Sequence, residues 1–200
     1  MRGSIRAAMP YCGWADAASE AAMFRSTWSN RERELAMITL DQPSMALNAE
    51  NVPGPDYHMW NTWRVSSAEA PAHILDWVAT VATTAPGGTL NALVFNCHGS
   101  PAHLSLGTGF GWAQIPFFSS LSGLVNDIYL VACEVVSFSG PGDGNLFCGA
   151  IAKAAQANVY ASNATQNTGL WPWIPYGQID GFEGNVWKWH PDGSNELTNL

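Results

Sequence analysis

Charge is scarce in this 200-residue sequence: Asp, Glu, Lys and Arg together make up 12% of it, and none occurs from Trp77 through Asn126. What charge there is leans acidic, 8 Lys and Arg against 16 Asp and Glu for a net charge of −8, and most of the basic residues fall between Arg2 and Arg64. A chain without a basic stripe repels phosphate backbones, so nucleic acid is not an expected partner. Nor does the uncharged stretch read as a membrane span. Pro86, Gly87, Gly88, Asn91, His98, Pro101 and His103 interrupt it, and nowhere does the chain reach the roughly 18 continuous apolar residues that a spanning helix needs. No apolar run of signal-peptide length opens the chain, which makes the cytoplasm the default expectation. The four cysteines, Cys12, Cys97, Cys133 and Cys148, form no CxxC pair. They also lack zinc-ligand spacing, even with His98 and His103 added, so reduced thiols are expected and no metal or other cofactor is called for. Internal repeats, heptads and low-complexity tracts are missing as well.

What is there suits one well-filled core. With 47% hydrophobic residues, 200 residues are enough for a single domain and few for two. We read residues 1–200 as that domain, with 1–34 as an N-terminal extension of unclear role and Arg31 to Glu34 as an exposed charged turn. Leu35 to Leu40 reads as the first strand. The stretch from Pro43 to Trp63, with Pro53, Gly54 and Pro55, reads as a long surface loop that either lines a cleft or is a spacer. Ser66 to Glu69 followed by Pro71 is a helix start. Ile74, Leu75, Val78 and Val81 or Ala82 then recur at helical spacing until Pro86-Gly87-Gly88 ends it. Leu104 to Gly109 is a short strand or hairpin arm, and Ile115 to Leu124 a weak helix beginning near Pro116. Asp143 or Asn145 caps a further helix with Leu146, Ile151 and Ala154 on its buried side, and Val159 to Ala161 is a fourth parallel strand. Past Gln166 the chain turns rich in Trp, Tyr and Pro. In GNVWKWHP, Trp187 and Trp189 share one face of a terminal strand, chiefly as caps on the sheet and alternatively as a groove wall.

Two runs organise the rest: NALVFNCHG from Asn91 to Gly99, and DIYLVACE from Asp127 to Glu134. Continuous apolar runs of this length, bounded by turn residues, are the mark of strands buried on both faces. With helices between them they give an α/β fold, a mainly parallel sheet between helical layers. Parallel strands present all their carboxyl ends at one edge, where ligand sites open. His98 and Cys133 stand at two such ends. Each also has a plainer reading, a Cys ending a strand as a small buried hydrophobe and a His before Gly as a loop residue.

The order of these motifs resembles the caspase-like cysteine peptidases of clan CD, which include caspases, gingipains and CHAT domains. There too a hydrophobic strand ends in His-Gly and a later one, here 133 − 98 = 35 residues on, ends in Ala-Cys. HGSPAHLSLG at His98 to Gly107 is similar to the segment after the catalytic His in bacterial members, notably the caspase-like domains of large repetitive surface proteins. GPGDGNLFCGAIAKAAQANVYAS at Gly140 to Ser162 is similar to their loop, helix and next strand, so the likeness covers about Leu90 to Thr165. It implies a caspase-like three-layer α/β/α sandwich and a cysteine endopeptidase acting on a polypeptide or on itself, with no cofactor. Cys133 is then the nucleophile and His98 its proton partner, since only a thiolate attacks and imidazole titrates near neutrality. The amides of Gly99 and Cys133 would form the oxyanion hole. Val131, two residues before the nucleophile, stands where metacaspases carry an acidic pocket residue and caspases a Gln. Preference for Arg, Lys or Asp therefore does not carry over, and Glu134 and Asp143 are the remaining pocket candidates. Two alternatives stand beside this: a catalytically silent interaction module, and an autoprocessing domain of the toxin type that inositol hexakisphosphate switches on. The latter needs clustered Arg and Lys, and only Lys153 and Lys188 follow the dyad.

Overall fold

The computed structural model describes residues 37–52, 54–136, 143–166, 172–198 and 200. The expected extension with its charged turn, Cys12, residues 140–142 of the Gly-rich loop and Trp171 lie outside these. In chain order the elements are β1 (Met37–Thr39), β2 (Ser44–Ala49), β3 (Asn61–Val65), α1 (Pro71–Thr84), β4 (Leu90–Asn96), β5 (His98–Ser100) and β6 (His103–Ser105). A 3-10 helix (Trp112–Leu121), β7 (Val125–Val131), α2 (Gly144–Ala155), β8 (Asn158–Ser162), β9 (Gln178–Asp180), β10 (Val186–Trp189) and β11 (Asn195–Thr198) follow.

Seven strands make one sheet in the order β3, β2, β4, β7, β8, β10, β11. The first five are mutually parallel; β10 pairs antiparallel with β8, and β11 antiparallel with β10. This is the mainly parallel α/β architecture expected from the sequence. Connection handedness explains its layers. The steps β3 to β4, β4 to β7 and β7 to β8 all move in one direction across the sheet, and right-handed crossovers then put their helices on one face. There α1, the 3-10 helix and α2 cover Leu47, Leu93, Phe95, Ile128, Leu130 and Val159. The step β2 to β3 runs the other way, so its connection lies on the opposite face, where Tyr57 and Met59 join Leu40, Ala46, Val94, Tyr129, Val131, Ile174 and Ile179 in a second core. Among the described residues that outer layer is chain without helix plus the β1–β9 ribbon. The reversal between β2 and β4 is a switch point, and beyond the carboxyl ends of such strands a crevice opens.

Local sequence accounts for the helices. Pro71 begins α1 at a position where its missing N–H costs nothing, and Ile74, Leu75, Val78, Val81 and Ala82 are its buried stripe, as the spacing predicted. Gly87 and Gly88 follow at φ of 89° and 74°, values that only glycine adopts without strain. Phe118 of the 3-10 helix meets Phe95 and Phe110 at ring distances of 6.1 and 5.6 Å. Burying each such ring is worth about 2 to 3 kcal/mol as an upper estimate. Asp143 caps α2, its side chain accepting from the Leu146 amide at 3.2 Å.

Four expectations change. The stretch from Pro43 to Trp63 is not one loop: it holds β2, buried along its whole length, and β3. SMALNA hides its strand character because two buried positions are polar, and they are tolerated because they are bonded. Ser44 Oγ donates to the Asp41 carbonyl at 2.6 Å and accepts from the Ala92 amide at 3.0 Å, while Asn48 is bonded to Tyr57 and Asn96. The expected first strand belongs to the separate ribbon with β9 and not to the main sheet. Leu146 is 61% exposed, whereas Ile151 is buried as expected and Ala154 is partly buried; Phe147, Cys148, Ala152 and Ala155 complete the buried side of α2. Val159 to Ala161 lies within β8 and is parallel to β7 as expected, although the sheet has five parallel strands and not four. Trp189 is fully buried, with Trp187 partly buried on the same core, so these indoles cap the sheet.

Candidate active site

His98 and Cys133 are delivered by neighbouring strands. β4 and β7 pair in parallel register with Asn96 opposite Val131, and each chain runs on past its last paired residue, β4 into Cys97-His98 and β7 into Ala132-Cys133. The two extensions stay together: the Cys97 amide donates to the Val131 carbonyl at 3.4 Å and the Ala102 amide to the Val135 carbonyl at 3.3 Å. Between these bonds Gly99 lies against the Cys133 backbone. A Cβ placed on Gly99 would be 2.6 Å from the Cys133 carbonyl oxygen, 2.8 Å from Val135 Cγ2 and 2.9 Å from Ala132 Cβ. No real Cβ survives at such distances, so glycine is required by contact.

His98 is half-buried, and its Nε2 lies 3.1 Å from the backbone carbonyl oxygen of Asn51 in the β2–β3 connection. A carbonyl only accepts, so Nε2 carries the proton in that bond, and in the neutral ring Nδ1 is then the basic nitrogen. A general base beside a nucleophile is commonly held in one tautomer by an acceptor on its other ring nitrogen, and Asn51 supplies such an acceptor to His98. Cys133 is half-buried too, and its Sγ donates to the Gln166 carbonyl at 3.6 Å. Gln166 is itself tied down, its side chain donating to the Ala164 and Glu183 carbonyls and accepting from the Glu183 amide. Cys97, one residue before His98, faces the helical core; burial first and the nearby Cys133 second push its thiol up to about 12. Cys148 is likewise buried and shifted upward by burial. Neither is a nucleophile at neutral pH.

The other predicted residues separate. Val131 is 2% exposed in the core of the face opposite the helices, so its side chain is closed to solvent. Glu134 is exposed, accepts from Thr165 Oγ1 at 3.1 Å and takes the left-handed conformation at φ 51°, a strained state for a non-glycine residue that costs about 1 kcal/mol or more. Its amide bond to the Ala164 carbonyl at 3.1 Å helps to hold that turn. Asp143 spends its carboxylate on the helix cap. Among the described residues no group of three or more His, Cys, Asp or Glu is placed to hold a metal.

Several contributors were not visible in the sequence. The Asn51 and Gln166 acceptors are backbone atoms, which residue type does not reveal. Beneath His98, Asn96 Nδ2 donates to Asn48 Oδ1 at 2.9 Å, and Asn48 in turn exchanges hydrogen bonds with the Tyr57 backbone. This chain braces the carboxyl ends of β2 and β4 from the second face. Further out, buried Tyr57 donates its hydroxyl proton to Asp180 Oδ1. The only available signal was two Asn residues inside otherwise apolar strands. No family model matches the chain, and no curated protein matches it.

Proposed function

We propose that this chain is a cysteine endopeptidase, with Cys133 as nucleophile and His98 as its acid and base. The observation that carries the reading is the orientation of His98 by the Asn51 carbonyl, on the strand end next to the one that bears Cys133. In the reaction the Cys133 thiol passes its proton to Nδ1 of His98, and the thiolate attacks the substrate carbonyl carbon. The imidazolium returns the proton to the amine as the C–N bond breaks, leaving a thioester on Cys133. Water, deprotonated by His98, then hydrolyses that ester and restores the thiol. The amide of Gly99, a residue with no side chain to block approach, and that of Cys133 are the donors that would serve where negative charge develops on the attacked oxygen. The likeness of the His-Gly and Ala-Cys motifs to caspase-like peptidases points the same way. A polyanion trigger has no comparable support: Arg64, Lys153 and Lys188, the described cations, sit on separate elements, and Arg64 is already paired with Asp56 at 3.0 Å.

A peptidyl electrophile library read by mass spectrometry tests the reading, alongside cleavage of a broad peptide library. Cys133 should be the modified residue, Cys133→Ala should abolish both signals with little change in melting temperature, and His98→Ala should slow cleavage about 10² to 10⁴-fold. Cleavage that persists in Cys133→Ala would end the proposal.

A further inference from the structure

The opposite end of the same strands holds a second opening. At the amino-terminal ends of β4 and β7, beside the turn from β1 to β2, lies a cavity of about 310 Å³ whose lining includes Asp41, Asn91, Asn126, Asp127 and Tyr129. Its polar groups are short of donors. Asp127 Oδ1 accepts from Asn158 Nδ2 at 2.8 Å, which leaves its second oxygen open. Among the described residues neither Asp127 nor Asp41 has an ion-pair partner. Tyr129 is 7% exposed, stacked on Tyr160 with ring centroids 4.7 Å apart, and its hydroxyl makes no hydrogen bond among the described residues although the residue faces the cavity. Lys188, the nearby cation, sits 5.7 Å from the centroid of the Tyr160 ring and so belongs to the other member of the stack. Asn126 Nδ2 donates to Asn91 Oδ1 at 3.4 Å, which leaves the Asn126 carbonyl oxygen as a further acceptor.

The ring of Tyr129 is buried while its unpartnered hydroxyl faces two carboxylates that have no countercharge among the described residues, so the cavity presents a set of acceptors that a donor-rich cation would complete. Size and donor count say which cation. One water takes about 30 Å³ of liquid volume, so the cavity is some ten times larger than a lone water or metal ion needs. The open acceptors, on Asp41, Asp127, Tyr129 and Asn126, outnumber the three donors of an ammonium, whereas a guanidinium has five in a planar fork that matches carboxylates. We infer that this cavity binds an alkylguanidinium group, its fork between Asp41 and Asp127 and the Tyr129 hydroxyl, its stem along Leu40 and Ala92. The group comes either from a small free guanidine or from an Arg side chain of a polypeptide.

Isothermal titration of the full chain at low salt decides between these and tests the site itself. The probes are butylguanidinium, the blocked tripeptide acetyl-Gly-Arg-Gly-amide, and butylurea as the uncharged isostere. Saturable one-to-one binding of a guanidinium probe, weakened by added salt and at least about ten-fold weaker in Asp127→Asn and in Asp41→Asn, is the expected result. Preference for butylguanidinium assigns a small free ligand, and preference for the tripeptide assigns a chain-borne Arg. Asp41 is exposed and its side chain makes no hydrogen bond or ion pair among the described residues, so that variant keeps the test valid if Asp127→Asn disturbs the bond to Asn158. The inference is overturned if neither guanidinium probe saturates, if butylurea binds as well, or if both Asp variants keep the parent affinity. Cys133→Ala protein should bind unchanged, so the result does not depend on peptidase activity.

Discussion

Asp180 offers the sharpest physical test of the fold. Its carboxyl is 5% exposed at the end of the β1–β9 ribbon and receives the Tyr57 hydroxyl proton. Burial raises its pKa from 3.8 to about 6; the Tyr57 bond pulls the other way, and the charge of Glu183 adds to the rise. A carboxyl with a raised folded-state pKa holds its proton more tightly folded than unfolded. Its contribution to stability is therefore complete below pH 3.8, falls as pH rises through about 6, and is level above. The difference between the two pKa values corresponds to about 3 kcal/mol. Asp180→Asn keeps an acceptor for Tyr57 and cannot ionise. The variant should match the parent near pH 3.5 and exceed it at pH 7.5 by about 3 kcal/mol, or about 6 to 12 °C in Tm for a chain of this size. Urea unfolding of both proteins across that pH range, read as the difference between them, isolates the group from every other titration. A difference that is constant with pH, or a parent that gains on the variant as pH rises, would refute the reasoning.

Gly99→Ala should force the Cys133 backbone aside, at a cost of about 1 to 3 kcal/mol in chemical unfolding, and should lower any cleavage rate about 10²-fold through misplacement of the nucleophile. Equal activity in the variant would show that the contact is irrelevant to chemistry. Asn48→Ala strips partners from Asn96 and from the Tyr57 amide and carbonyl, so a loss of at least about 2 kcal/mol is expected in thermal unfolding; a neutral result would mean that water replaces the amide readily. Brief iodoacetamide treatment of the native protein should alkylate Cys133 well ahead of Cys97 and Cys148, both buried and shifted upward. Peptide mapping that finds equal labelling would contradict the burial described for the latter two.

By itself the sequence determined whatever depends on near neighbours. The stripe Ile74, Leu75, Val78, Val81 and Ala82 made α1, two apolar runs made β4 and β7, and Asp143 could cap α2 because its oxygen reaches an amide three residues on. The parallel α/β class followed as well, since strands joined through helices have few other ways to pack. Tertiary structure decided what needs partners distant in the chain. β2 is a strand only because Ser44 and Asn48 find acceptors and donors on segments up to 48 residues away, and no periodicity within SMALNA announces that. Met37 to Thr39 joined β9 and not the main sheet through pairing with residues about 140 positions later. His98 acquired its orientation from the carbonyl of Asn51, and the acceptors that face the second cavity were gathered from the ends of separate strands. Local propensity records how a segment folds onto itself. Which backbone carbonyl faces a given imidazole is set by the stacking order of strands, and that order arises only once the long-range pairs are made.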